Sequence, residues 1–264
     1  MKSFKFCPLP IAYCLLPIVC CLLLSSCSVN NAKVDNDLKK YFDENNVDGC
    51  FTLFNNANGE VTVYNMALDT QRFSPASTFQ IVNSLIGLQT GRITDENMRI
   101  KEDRMTMAFK TYDVPYFQEV ARRIGRDTMK MWVDSIGYGN KDIDGPIDSF
   151  WFNNHLKISA DEQLGLVKRL YFDQLPFRKS AQQIIRDLML KDDNTAYKLS
   201  WIISKGKDEK ANDLSWFTGW IEENNHVYFF VTFVKATKPG TDLDAVMKIT
   251  EAILKDKGFM QGKK

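Results

Sequence analysis

Phe73-Ser-Pro-Ala-Ser-Thr-Phe-Gln-Ile-Val-Asn-Ser-Leu-Ile-Gly-Leu-Gln-Thr-Gly91 reads as a serine, Ser77, set at the first turn of a buried helix. Pro75 stiffens the approach. Ile81, Leu85 and Leu88 recur at i, i+4 and i+7, which marks one apolar helix face. Gly91 is a suitable C-terminal stop. A hydroxyl at a helix N-terminus sits where main-chain N–H groups and the helix dipole favour negative charge. That is a seat for a nucleophile and its oxyanion. The residue one turn on should be the base that activates it. That residue is Gln80, and an amide cannot take a proton.

On the N-terminal side of this helix, Cys50–Phe54 and Val61–Tyr64 flank Asn58-Gly59, a hairpin signal. On its C-terminal side a polar, Met-bearing stretch runs to Phe109. Helices are expected from Pro115 to Ile124, from a cap at Asp127 to Gly137, from the capping box Ser159–Glu162 to Tyr171, and over Ser180–Leu190. Tyr197–Ser204, Ser215–Ile221 and His226–Val234 are rich in aromatic and β-branched residues and read as an antiparallel meander. A last helix is expected over Thr241–Lys257, with Val246, Ile249 and Ile253 facing in. A hairpin, a helical block, three strands and a terminal helix make an α+β layout. The first and last pieces share one antiparallel sheet, flanked by helices, and the helical middle is an inserted subdomain packed on it.

The chain has 264 residues, 44% hydrophobic and 25% charged, with net charge +1 and no basic run, which gives no basis for nucleic-acid binding. The N-terminus reads as a leader: Lys2 and Lys5, an apolar run Phe6–Leu24, then Leu24-Ser25-Ser26-Cys27. That is the layout of a lipoprotein signal over residues 1–26, with Cys27 the residue to be lipidated; a plain signal peptide with an incidental cysteine is the alternative. Residues 27–37 are then a lipidated N-terminus and polar tether, and 38–264 the domain. Loss of the leader leaves 32 basic against 33 acidic residues, near −1. Five of the six cysteines fall in or at the end of the leader, so only Cys50 remains in the body and no internal disulfide can form. His155 and His226 are far apart and have no ligand-like spacing, so neither metal nor cofactor is expected. The expected location is the bacterial cell envelope, exported and membrane-anchored through lipid on Cys27.

Taken together in order, several fragments resemble the class D (oxacillinase-type) serine β-lactamases and their penicillin-binding sensor relatives. They are Pro75–Gly91, Val114-Pro115 with Gln118–Gly125, Tyr138-Gly139-Asn140, Phe150-Trp151 before Leu156–Ser159, Thr218–Glu222 and Tyr228-Phe229-Phe230. The resemblance spans almost the whole mature chain and implies the β-lactamase/transpeptidase-like fold, with the site between sheet and helical subdomain. It also implies an acyl-enzyme on the serine and a carboxylated lysine three residues on as base. A relay serine in Ser-x-Val, a tryptophan holding the lysine, a Lys-Thr-Gly strand for the substrate carboxylate and an arginine early in the last helix complete the implied set.

Ser77 matches the nucleophile, Gln80 stands at the lysine, and Tyr112-Asp113-Val114 stands at Ser-x-Val. Tyr138 and Asn140 match the Tyr-Gly-Asn motif. Trp151 matches the tryptophan, with Asn154 where its motif has glycine. Lys205, Gly206 and Lys207 take the Lys-Thr-Gly place in a register open by one residue, and Val246 falls near the arginine. Each has a plainer reading. Ser77 could be only a helix-start serine, Trp151 core packing, Lys205 and Lys207 solvated strand-end lysines, and Tyr138 and Asn140 turn residues. Asp113 is a candidate replacement base. The departures group at the chemistry while the helix face, glycine stops and strands are kept. The expected function is a β-lactamase-like, penicillin-binding protein, a β-lactam or peptidoglycan-like small molecule its ligand, acylated at Ser77 with weak or absent hydrolysis. The alternatives are a non-enzymatic envelope lipoprotein that binds or senses a ligand, and a D-Ala-D-Ala peptidase, against which Gln80 counts equally.

Overall fold

Three long strands, the middle and last of them buried on both faces, organise the molecule. They are β7 (Tyr197–Lys207), β8 (Asp213–Glu223) and β9 (His226–Ala236), paired antiparallel in sequence order. The β8–β9 connection is only Asn224-Asn225, both in the left-handed region at φ 55° and 62°. That backbone suits a two-residue hairpin, and asparagine tolerates it well. β2 (Val47–Asn55) pairs antiparallel with β9, and β3 (Val61–Tyr64) with β2. With β1 at Ala32–Val34 and β6 at Leu190–Asp193, the sheet order is β1-β3-β2-β9-β8-β7-β6, so the first hairpin and the last strands share one sheet as expected. The computed structural model describes residues 32–194 and 196–262. Cys27 and the leader lie outside the described residues.

Side chains alternate across these strands onto two cores. On β8, Trp216 and Trp220 face the helical block, while Phe217 and Ile221 face the opposite side. On β9, Phe229, Val231 and Phe233 face the block, and Phe230 and Val234 face away. The far side is covered by α1 (Lys39–Glu44) and by the terminal helix, Ala245–Asp256, whose Val246, Ile249 and Ile253 are buried. Each such side chain contributes roughly 1.5–3 kcal/mol by leaving water.

The helical block comprises α2 (Met66–Asp69), α3 (Gln80–Gln89), α4 (Met105–Thr111), α5 (Val114–Ile124), α6 (Arg126–Ile136), α7 (Ala160–Tyr171) and α8 (Lys179–Met189), with a small β4–β5 hairpin at Arg99–Ile100 and Asp103–Arg104. The terminal helix is α9. α3 is its axis. The expected single apolar face is too narrow a reading, since every residue from Gln80 to Leu88 is buried. A helix enclosed on all sides needs small residues where neighbours approach. A Cβ on Gly87 would lie 2.8 Å from Ile93.

Several boundaries differ from expectation for local reasons. Gly125, at φ 79°, ends α5 and also stands at the N-cap of α6, so Asp127 lies inside the first turn and is not the cap. α4 and the short strand β6 (Leu190–Asp193) escape a periodicity reading because they are brief. α9 starts at Ala245, after a turn in which Asp242 accepts the Asp244 N–H at 2.9 Å. The domain also begins before residue 38. Ala32–Val34 forms β1, parallel to β3, and Asp35 pairs with Lys257 at 3.0 Å.

One carboxyl group in this core is unusual. Asp69, at the end of α2, is 3% exposed and accepts a hydrogen bond from the Thr52 hydroxyl. Burial pushes its pKa up to about 6. The folded chain therefore holds the Asp69 proton more tightly than the unfolded chain, where the group titrates near ~4. The stabilisation is full below that value and lost as pH rises through about 6. Asp69→Asn should flatten this dependence and raise stability at pH 7.5 by about 2–3 kcal/mol. Urea denaturation of wild type and variant at pH 5 and pH 7.5 measures it.

Candidate active site

The segment before α3 is pinned by main-chain groups. Phe73 and Ile158 exchange hydrogen bonds at 2.9 and 2.8 Å. The Trp151 carbonyl accepts from Ser74 Oγ at 2.7 Å and from the Ala76 N–H at 3.1 Å. Trp216 Nε1 on β8 donates to the Ser74 carbonyl at 2.9 Å, and Ser204 Oγ on β7 donates to the Pro75 carbonyl at 3.2 Å. These bonds hold Ala76 at φ 46°, a left-handed conformation that is strained for a residue with a Cβ. Such strain persists only where the surroundings over-determine the backbone.

Ala76–Phe79 is a 3₁₀ turn, and α3 begins at Gln80. Ser77 is thus placed one turn before the α-helix proper. It is the half-exposed residue of a segment in which Ala76, Thr78, Phe79 and Gln80 are buried. Residues i and i+3 eclipse in a 3₁₀ turn, so Ser77 and Gln80 share a face. The Ser77 hydroxyl makes no hydrogen bond among the described residues. Below it, Thr78 Oγ1 accepts from Gln163 Nε2 at 2.7 Å, and Phe79 stacks on Trp151 with ring centroids 5.4 Å apart.

The groups facing Ser77 are neutral. Gln80 is 3% exposed, and its amide donates to the Phe109 carbonyl at 3.3 Å. That carbonyl is one of the last four of α4, which lack intrahelical partners. Asn83, one turn further on, donates to the Phe117 carbonyl at 2.9 Å, and its Oδ1 has no partner among the described residues. A cavity of about 10 Å³ is lined by Ser77, Gln80, Asn83, Tyr112, Val114, Phe117, Trp151 and Phe152. That is room for about one water molecule.

Tyr112 caps α4 in the left-handed region at φ 58°. Burial pushes the pKa of its hydroxyl up to about 12. It is a weaker candidate base than a free phenol. Asp113 is the N-cap of α5, its carboxylate accepting the Tyr116 N–H at 2.9 Å. It is committed to the helix start and does not line the cavity.

Strand parity corrects the assignment of the β7 lysines. Leu199, Trp201 and Ile203 face the α9 side, whereas Ile202 faces the helical block. Ser204 bonds Pro75, and a Cβ on Gly206 would lie 2.7 Å from the Ala76 Cβ. The residues turned toward the serine are therefore Ser204 and Gly206. Lys205 leaves on the other face to pair with Asp244 at 2.8 Å, and Lys207 pairs with Asp213 at 2.6 Å. Neither lysine lines the Ser77 cavity. Val246 is fully buried in α9, in the core on the far side of the sheet.

Tyr138 and Asn140 also stand away from the cavity. Tyr138 is 1% exposed behind Phe79, edge-on at 5.5 Å. Asn140 Nδ2 donates to the His155 carbonyl at 2.7 Å, and its Oδ1 accepts the Lys157 N–H at 2.9 Å. Gly139, at φ 51°, leaves 1.9 Å between a would-be Cβ and the Lys157 carbonyl oxygen. This turn braces the loop that carries Trp151. Asn154 adopts φ 67°, the conformation glycine would supply there. The residues missed in the sequence were Ser74, Ser204, Trp216 and Asn83. The Ser200, Ile202, Ser204, Gly206 alternation could have shown the second of these.

Comparison with known proteins agrees with this geometry. Residues 40–256 match the penicillin binding protein transpeptidase domain. The chain is 34% identical to β-lactamase OXA-5 of Pseudomonas aeruginosa over 208 residues, 72% of this chain and 77% of that one. The crystal structure of a class D β-lactamase from Sebaldella termitidis superposes with TM-score 0.82 at 27% identity, covering 88% of this chain and all of that one. The C-terminal domain of the Bacillus licheniformis BlaR penicillin-receptor superposes with TM-score 0.78 at 25% identity, covering 86% and 96%. The pinned serine turn, the sheet against the helical block and these likenesses converge: the chain belongs to the class D serine β-lactamase family of penicillin-binding transpeptidase-fold proteins.

Proposed function

We propose that this chain is a penicillin-binding member of its family that takes a β-lactam or peptidoglycan-stem-like ligand at Ser77 and does not turn it over efficiently. The observation that carries this reading is Gln80, buried beside Ser77 with its amide committed to the Phe109 carbonyl. General base catalysis is worth roughly 10²–10⁴ in rate, and no group facing Ser77 supplies it. Benzylpenicillin in excess over the domain, residues 28–264, should give a slowly formed, persistent acyl adduct by intact mass, absent in Ser77→Ala. No adduct at long times removes the acylation reading. It leaves a second one, a non-covalent binding or sensing module, which is favoured by the small cavity and by the likeness to a penicillin receptor.

Several groups are altered together, and groups that act as a unit fail together. Gln80→Lys alone is therefore expected to leave nitrocefin hydrolysis at background. The double variant Gln80→Lys, Tyr112→Ser is expected to raise it. Full recovery in the single variant would show that the base alone is missing.

On this reading the protein is exported and held at the cell envelope by lipid on Cys27, as the leader pattern supports. Labelled palmitate should enter the full-length chain in a bacterial host and be lost in Cys27→Ser.

A further inference from the structure

We propose that a second ligand site lies between the sheet and the helices α7 and α8, and that it takes a sugar ring through its hydroxyl groups. The site is separate from Ser77, and the inference goes beyond the reading given for that serine.

The site is a groove of about 390 Å³. Lys198 and Ser200 on β7 and Trp220 and Glu222 on β8 form its floor, and Tyr171 and Arg186 stand at its walls. Strand register brings the floor together. Ser200 lies directly opposite Trp220, and Lys198 directly opposite Glu222. Such partners stand about 5 Å apart and diagonal ones about 7 Å. Ser200 has the parity of Ile202 and Ser204, so its side chain turns toward the helical block. Ser204 bonds Pro75, so Ser200 lies roughly 13 Å along β7 from the serine turn. No residue lines both this groove and the Ser77 cavity.

The floor carries polar groups without partners. Ser200 and Trp220 are each only 2% exposed, yet neither the hydroxyl nor the indole N–H makes a hydrogen bond among the described residues. Glu222 is half-buried and forms no ion pair among the described residues. The cations beside it are already matched. Lys198 pairs with Asp193 at 3.3 Å, and Arg186 with Asp173 at 2.5 Å.

The ligand class follows from what these groups lack. Withdrawn polar groups are completed by water or by a ligand. The indole N–H only donates, the Glu222 carboxylate only accepts, and the Ser200 hydroxyl does either. A matching ligand offers an acceptor and a donor within the width of one ring. Vicinal hydroxyls meet this, since each both donates and accepts. Glu222 repels an anion, and a bare ammonium leaves the indole N–H without an acceptor. Tyr171, edge-on to Trp220 at 5.6 Å, gives an apolar wall for the C–H face of the ring. A groove of this size with a few convergent polar groups suits a small ligand.

The test titrates methyl α-D-glucopyranoside, glucosamine and tetramethylammonium separately into isotope-labelled protein and follows the Trp220 indole resonance by NMR. The glucoside should shift it saturably, with millimolar affinity. Glu222→Ala should weaken this binding about tenfold and Ser200→Ala about fivefold. The other indole resonances report whether each variant is folded, and failure of one variant leaves the other as the test. No shift with the glucoside, or wild-type affinity in the folded variants, overturns the site. A response to glucosamine or tetramethylammonium without one to the glucoside makes it an ammonium site and overturns the sugar reading. Acylation of Ser77 by benzylpenicillin, measured on the same variants, should match wild type, so the two readings fail separately.

Discussion

The carbonyl of Trp151 is the group on which the site depends. It takes the Ala76 N–H and the Ser74 hydroxyl, and so holds a strained turn in place. The hydrogen bonds from Trp216 and Ser204 bring in the sheet. Three segments distant in sequence thereby meet at one short stretch of backbone. A left-handed alanine costs on the order of 1–2 kcal/mol, and a single anchoring hydrogen bond contributes about 1 kcal/mol net. Several such bonds are enough to offset that strain and leave Ser77 turned toward solvent at the end of a buried helix.

The geometry of the serine turn is thus held independently of the side chains that line the cavity beside it. The anchors of the turn are main-chain carbonyls, a tryptophan and two serines. Gln80 and Asn83 carry a different task. Their amides tie α3 to the Phe109 and Phe117 carbonyls of the neighbouring helices, so the residues at the chemical positions stabilise the helical block. A neutral amide does this without the desolvation penalty of a buried ammonium. The cavity is lined by uncharged side chains throughout.

The sheet separates two environments, and residue parity decides which one a side chain enters. Ser204 and Gly206 face the serine because they are even-numbered on β7. The lysines between and beyond them are carried to the α9 side. A shift of one residue in a strand exchanges its faces. This is why a motif position open by one residue in the sequence had no determined role until its pairing with β8 was known.

The sequence by itself determined the fold class, the order of the main elements and the position of Ser77 at a helix start. These rest on local signals: the 3.6 period after Ser77, glycine stops, the Ser159–Glu162 start of α7 and alternation in the last three strands. It also determined that Gln80 cannot act as a base, since that follows from the side chain alone. Tertiary structure decided the rest. It set Ser77 on a 3₁₀ turn, turned the β7 lysines away, committed Asp113 to a helix cap, made Tyr138 and Asn140 a brace, and put Tyr112 in the wall of the Ser77 cavity. Each of these depends on which face of a strand or which neighbouring carbonyl a group meets. Such contacts join residues dozens of positions apart, and they exist only once the sheet has paired and the helical block has closed over it.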